Sequence, residues 1–120
     1  MSKEKQFEPA GAGLQRPTQS AQTLCNSDQA WLDSGTPGFL IKPLFEDAGS
    51  GQRTWLMKVE PGAYSPPHEH EQLEQIYMIE GEFSDGSNTY RAGDFLIRAP
   101  GVEHEASSEN GALMLLIYST

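Results

Sequence analysis

The chain has 120 residues, with 17 acidic against 8 basic side chains and a net charge of −9. That length holds one domain with a modest core, and the acidic balance argues against nucleic acid or an anionic membrane as partner. No apolar run approaches a membrane span and no signal-type segment opens the chain; the single cysteine, Cys25, cannot form an intramolecular disulfide, so a cytoplasmic protein is expected.

Residues 1–24 are expected to form a flexible N-terminal arm. Residues 1–17 are polar and broken by Pro9, Gly11 and Gly13, so the segment before Leu24 should add little to a core. An arm packed on a dimer mate is the sharper alternative. Cys25 reads as an inert small hydrophobe, not a nucleophile. Residues 27–32 suit a capped helical turn or a lead-in strand, and residues 34–38 a loop. Residues 39–45 are apolar around Lys42 and Pro43, which predicts an edge strand or a bulge.

After a Gly-rich turn at residues 46–52, residues 53–60 alternate. Trp55, Met57 and Val59 share one face and Thr54, Leu56 and Lys58 the other. Pro66 and Pro67 stiffen the approach to His68. Residues 74–80 form the next predicted strand, with Glu74, Ile76 and Met78 on one face and Tyr77 and Ile79 on the other; Gly81 should end it. Residues 82–84 should pair with 89–91 through the turn at 85–88. Strands at 95–98, 104–107 and 112–118 close the chain. Strands recurring about every 8–12 residues, with no convincing helix, argue for an all-β sandwich or barrel.

All three histidines fall in two segments of this pattern. His68 and His70 are two apart, so an extended strand points both to one face. Glu74 follows across a short bend, and His104 must arrive from a distant strand. Imidazoles with one carboxylate suit Zn, Fe, Mn, Ni or Cu. Glu69 and Glu71 should alternate to the opposite, solvated face. Trp55, Met57, Tyr64, Ile76, Met78 and Phe95 are candidate pocket walls, with Tyr64 and Arg98 the candidate catalytic residues and Arg98 a possible anchor for an anionic substrate.

Gly62, His68, His70, Glu74 and Gly81 stand at the spacing of the first cupin motif, and Gly93, Gly101 and His104 at that of the second. Ala99 stands where cupins usually carry proline, and Ser108 where many carry asparagine. From about residue 25 onward the chain also resembles the cupin domain of ChrR-type anti-sigma factors and the acetylacetone-cleaving dioxygenases, through Trp31, residues 38–44, 59–62 and 79–85 and the region 108–111. The resemblance implies one cupin domain over residues 25–120, a double-stranded β-helix (jelly-roll) barrel. It also implies one divalent transition metal per chain, Fe2+ favoured over Zn2+, Mn2+ or Ni2+, held by His68, His70, Glu74 and His104, and a homodimer. Some similar dioxygenases bind iron with three histidines, the glutamate standing aside. A metal-dependent, dioxygenase-like enzyme acting on a small organic molecule is the leading expectation; a non-catalytic sensor of the ChrR type is the alternative. Anti-sigma factors carry a separate N-terminal zinc domain, for which the residues before Cys25 leave no room, so a sigma-binding role is disfavoured.

Overall fold

The computed structural model describes residues 7–120. A 3-10 turn at Asn26–Asp28 precedes nine strands: β1 (Leu32–Asp33), β2 (Phe39–Glu46), β3 (Arg53–Val59), β4 (Tyr64–His68), β5 (Leu73–Ser84), β6 (Thr89–Arg91), β7 (Phe95–Arg98), β8 (His104–Ser107) and β9 (Ala112–Ser119). No α-helix occurs among the described residues, and no helix is long and apolar enough to cross a membrane. All strand pairs are antiparallel.

The sheet runs β1-β2-β3-β9-β5-β8-β4, with β6 and β7 also paired to β5. It curls into a barrel because β5 serves both halves. Its first part pairs with β9 on one side and β7 on the other, and its last part pairs with β6 and touches β8 at Ser84 and Ser107. The sequence pattern predicted a break at Gly81, but the strand continues through it. Gly81 takes a φ of +74°, and a Cβ there would lie 2.0 Å from the carbonyl oxygen of Gly111. Only glycine permits that approach, so the residue bends the strand between the two halves instead of ending it.

The alternating residues of β3 and β5 fill the barrel as expected: Trp55, Met57 and Val59 are buried, as are Ile76 and Met78. On β9, Ala112, Met114, Leu116 and Tyr118 are buried as well. A fully buried apolar side chain of this size contributes about 1.5–3 kcal/mol, so these three adjacent strands carry the core. The bulge expected around Pro43 is present, as a shift of pairing between Pro43 and Phe45 against β3.

The arm departs from expectation. Part of it, residues 1–6, lies outside the described residues, and residues 15–23 are exposed, but residues 7–14 are docked on the barrel. Phe7 is buried in the core cluster. Leu14 forms a parallel bridge to Phe45. The buried carboxylate of Glu46 accepts the backbone N–H groups of Ala10, Gly11 and Ala12 at 3.0, 2.8 and 3.3 Å, and the indole N–H of Trp55 at 2.7 Å. A carboxylate can be buried at this depth because charged hydrogen bonds replace its water. The arm is therefore held by its backbone, which its polar side chains do not reveal. Cys25 is exposed, not packed as a small hydrophobe.

Candidate metal centre

His68 closes β4 and His104 opens β8, and the two are paired across the strands. The expected strand does not carry both early histidines: β4 ends at His68, and His70 lies in the loop beyond it. His70 is nevertheless turned to the same place, because its carbonyl oxygen accepts the Gly101 N–H at 2.8 Å. The second glycine-rich turn thus pins the first histidine segment. Ring centroids are 4.3 Å apart for His68 and His104, 5.0 Å for His68 and His70, and 5.4 Å for His70 and His104. One ligand atom from each ring falls within 4.8 Å of the others.

The hydrogen bonds define which nitrogens are free. Nδ1 of His68 meets the Pro66 carbonyl at 2.8 Å, and Nδ1 of His104 meets the Val102 carbonyl at 3.4 Å. A carbonyl only accepts, so both Nδ1 atoms carry the proton and both Nε2 atoms keep a lone pair. Nε2 of His70 is buried without a hydrogen-bond partner, an arrangement that a metal ion would satisfy. Burial lowers the pKa of all three histidines, to about 3 for His70 and about 4 for His104. For His70 the neighbouring His68 and the charges of Arg53 and Arg98 act in the same direction; for His104 the Glu74 carboxylate opposes. Neutral imidazoles are the form that binds metal.

Glu74, the expected fourth ligand, stands beside the three rings and does not join their cluster. One of its oxygens accepts from the Arg98 guanidinium and the other from the Tyr118 hydroxyl at 2.8 Å. His70 Nε2 lies 3.5 Å and His104 Nε2 3.9 Å from this carboxylate. With both imidazoles neutral, neither contact is an ion pair. Burial, followed by the Glu74 charge, pushes the Tyr118 hydroxyl well above its usual pKa, so it remains a donor. Arg98 is also committed on its far side, to Asp85 at 3.2 Å, and Asp85 in turn accepts from Tyr90 at 2.8 Å. Expected as a substrate anchor, Arg98 is instead occupied in holding Glu74.

The rings face an apolar cavity of ≈ 30 Å³ whose walls include Phe7, Phe39, Met57, Ile76, Phe83, Met114 and Leu116. Of the predicted wall residues, Met57 and Ile76 are here. Trp55 and Met78 are buried elsewhere in the core, and Phe95 is 56% exposed. Tyr64 is a correction. It is 51% exposed, and its hydroxyl donates to Glu105 at 2.7 Å, outside the cavity. The Pro66-Pro67 irregularity between Ser65 and His68 breaks simple alternation, so nearness to His68 in sequence did not place Tyr64 on the histidine side. Glu69 and Glu71 line a separate outer cleft with His70. Phe7 was missed; its signal was slight, as the first aromatic residue of the chain, standing alone in a polar segment before Trp31. Phe83, Met114, Leu116 and Tyr118 were read as strand core and not as site walls.

A family model described as the ChrR Cupin-like domain matches residues 19–119. No curated protein sequence matches the chain. Among solved structures, a Ralstonia eutropha JMP134 protein of unknown function with a cupin-like fold superimposes with a TM-score of 0.75 at 22% identity, covering 88% of this chain and 70% of that one. An acetylacetone dioxygenase from Acinetobacter johnsonii gives 0.72 at 9% identity, covering 90% and 78%. The Rhodobacter sphaeroides complex of SigE with the anti-sigma ChrR gives 0.64 at 24% identity, covering 79% of this chain and 52% of that one. At these identities the likeness is one of fold.

Proposed function

The chain belongs to the ChrR cupin-like domain family, and from that footing we propose that it is a small metal-dependent cupin enzyme acting, dioxygenase-like, on a small organic molecule. The supporting observation is the partition of donors. Three neutral imidazoles converge, His68 and His104 with Nε2 free and His70 with Nε2 lacking a hydrogen-bond partner, while the nearest carboxylate, Glu74, is held by Arg98 and Tyr118. Such a set would hold a metal ion through His68, His70 and His104, beside the apolar cavity. Structural zinc sites are closed by four ligands, mostly cysteine, and the one cysteine here is remote and exposed. Fe2+ is the favoured ion, with Zn2+, Mn2+ or Ni2+ suited to the same donors.

When bound, a divalent ion supplies Lewis acidity toward a substrate oxygen, and iron adds a one-electron centre. The chain's own contributions are separate. The Pro66 and Val102 carbonyls orient His68 and His104, as outer partners of metal ligands generally do. Arg98 and Tyr118 hold Glu74 fixed beside the rings. Phe39, Phe83 and Met114 wall the cavity with apolar surface, and a low-dielectric surround strengthens every electrostatic contact within it. Homodimerisation is part of the proposal, since β1, a two-residue strand, leaves a sheet edge to cover.

The test is anaerobic purification with elemental analysis, then oxygen uptake by the Fe(II)-loaded protein against small dicarbonyls and phenols. Metal-dependent uptake on any of them supports the enzyme. One metal per chain without turnover on any favours the second reading, a metal-binding sensor, which the family match and the very small cavity support.

A further inference from the structure

The cavity before the histidines has room only for water-sized occupants at ≈ 30 Å³. The reason is Phe7. Its ring lies 5.4 Å from the His68 ring, 6.1 Å from His70 and 5.8 Å from Phe39, centroid to centroid. The other walls cannot easily make space. Apart from Phe7 and His70, every residue lining the cavity belongs to one of the strands β2 to β9, and the backbone of His70 is fastened to Gly101. Phe7 is carried by the arm. It is also, with His70, one of the two residues that line both this cavity and an outer cleft of ≈ 160 Å³. Phe7 is therefore the partition between the histidines and the outside.

The tether of this partition has the chemistry of a ligand. The backbone turns left-handed at Phe7, with φ +62°, which directs the ring inward while its carbonyl oxygen accepts from Nη1 of Arg53 at 2.6 Å. Arg53 is buried, and its Nε has no hydrogen-bond partner. Displacing Phe7, ring and carbonyl together, would open an apolar hollow of about benzyl size beside the imidazoles and leave Nη1 and Nε of Arg53, a wall of the outer cleft, without acceptors while its Nη2 stays on Gln72. Between Phe7 and the Leu14 bridge to β2, which with the Arg16–Asp47 pair fixes the base of the arm, the contacts are the N–H groups of Ala10, Gly11 and Ala12 on Glu46; Ala10 and Gly11 are exposed, so water can replace the protein there at small cost.

We infer that Phe7 is a built-in occupant of the histidine pocket, and that the ligand which displaces it is a neutral molecule with an apolar, ring-sized body and a carbonyl oxygen for Arg53. The arm is thereby a gate: ligand in, Phe7 out. This rests on the reading of the histidine pocket as a ligand site and adds its substrate class and its regulation.

Acetophenone is the probe, with toluene as the matched body lacking oxygen. Binding is measured by calorimetry to the wild-type chain and to Phe7→Ala, each metal-free and zinc-loaded. A resident ring lowers apparent affinity by the fraction of open pocket, so an arm open one time in ten predicts about tenfold tighter acetophenone binding by Phe7→Ala. Toluene should bind more weakly than acetophenone to both proteins. In the wild-type chain, saturating acetophenone should raise hydrogen exchange at the Ala10, Gly11 and Ala12 amides. Phe7→Leu, a smaller plug that keeps the arm apolar, should give an intermediate affinity and covers the case in which Phe7→Ala does not fold. Equal affinities across these variants, or acetophenone bound with the three arm amides still protected, would overturn the gate. Metal content of the same preparations reports on the histidines separately: no metal with the gate results intact removes the metal reading and leaves this one standing.

Discussion

Glu74 and Arg98 occupy matched positions on β5 and β7 and form an ion pair in which both side chains are almost completely buried. The pairing explains why a carboxylate at motif spacing stands beside the histidine cluster and not within it. If three imidazoles suffice, Glu74→Gln retains about one metal per chain, whereas His104→Ala or His68→Ala loses most of it. Elemental analysis of dialysed protein decides this. Loss of metal from a folded Glu74→Gln would return the carboxylate to the ligand set.

Arg98→Leu leaves Glu74 and Asp85 without their common guanidinium. Removing one partner of a buried pair strands the other charge, so the variant should be less stable by about 3–5 kcal/mol in urea melts. A change under about 1 kcal/mol would mean that water reaches Glu74 in the folded barrel.

The metal-free protein should lose stability on acidification. In the unfolded chain histidine titrates near its ordinary value of about 6.5, while in the fold His104 is held down to about 4 and His70 to about 3, mainly by burial. Between those values the unfolded chain binds more protons, so stability falls as pH falls. These groups contribute no pH dependence above about 6.5, and their loss is complete once pH is below about 3. Thermal melts in chelator from pH 8 to pH 4 check the sign. Saturating zinc at pH 7 should raise the melting temperature, because the ion binds only the folded state.

Glu46→Ala removes the acceptor shared by the arm and Trp55. The arm amides can turn to water, but the indole N–H is fully buried and cannot, which predicts a loss of about 1–3 kcal/mol. Faster exchange at Ala10, Gly11 and Ala12 should accompany it. Unchanged exchange would show that Phe7 and the Leu14 bridge anchor the arm without Glu46.

Gly81→Ala should be the most damaging single change. The added methyl meets the Gly111 carbonyl at 2.0 Å in a left-handed conformation. A loss of about 4 kcal/mol or more, seen as insoluble or molten protein, is expected. A well-folded Gly81→Ala would mean that β5 can pass between its partners without this close approach.

Much of the molecule is legible from local pattern. Two-residue alternation assigns the inward faces of β3 and β5 because side chains on a strand have no other choice. Motif spacing identified His68, His70 and His104, and Pro43 announced its bulge. What tertiary structure decided are the matters that depend on partners distant in the chain. Gly81 continues a strand because Gly111 lies against it, 30 residues on. Tyr64 turns outward although it is four residues from His68, because β4 is irregular at the two prolines and pairs with β8 by a shifted register. Arg98 and Glu74 each looked available to a substrate or a metal until β5 and β7 were placed side by side. Residues 7–14 looked like a tail by composition, since what holds them is mostly backbone N–H and C=O, which every sequence carries alike. Composition records which side chains can be buried. Whether a polar backbone finds a buried carboxylate and a guanidinium waiting for it is decided only when the barrel has closed.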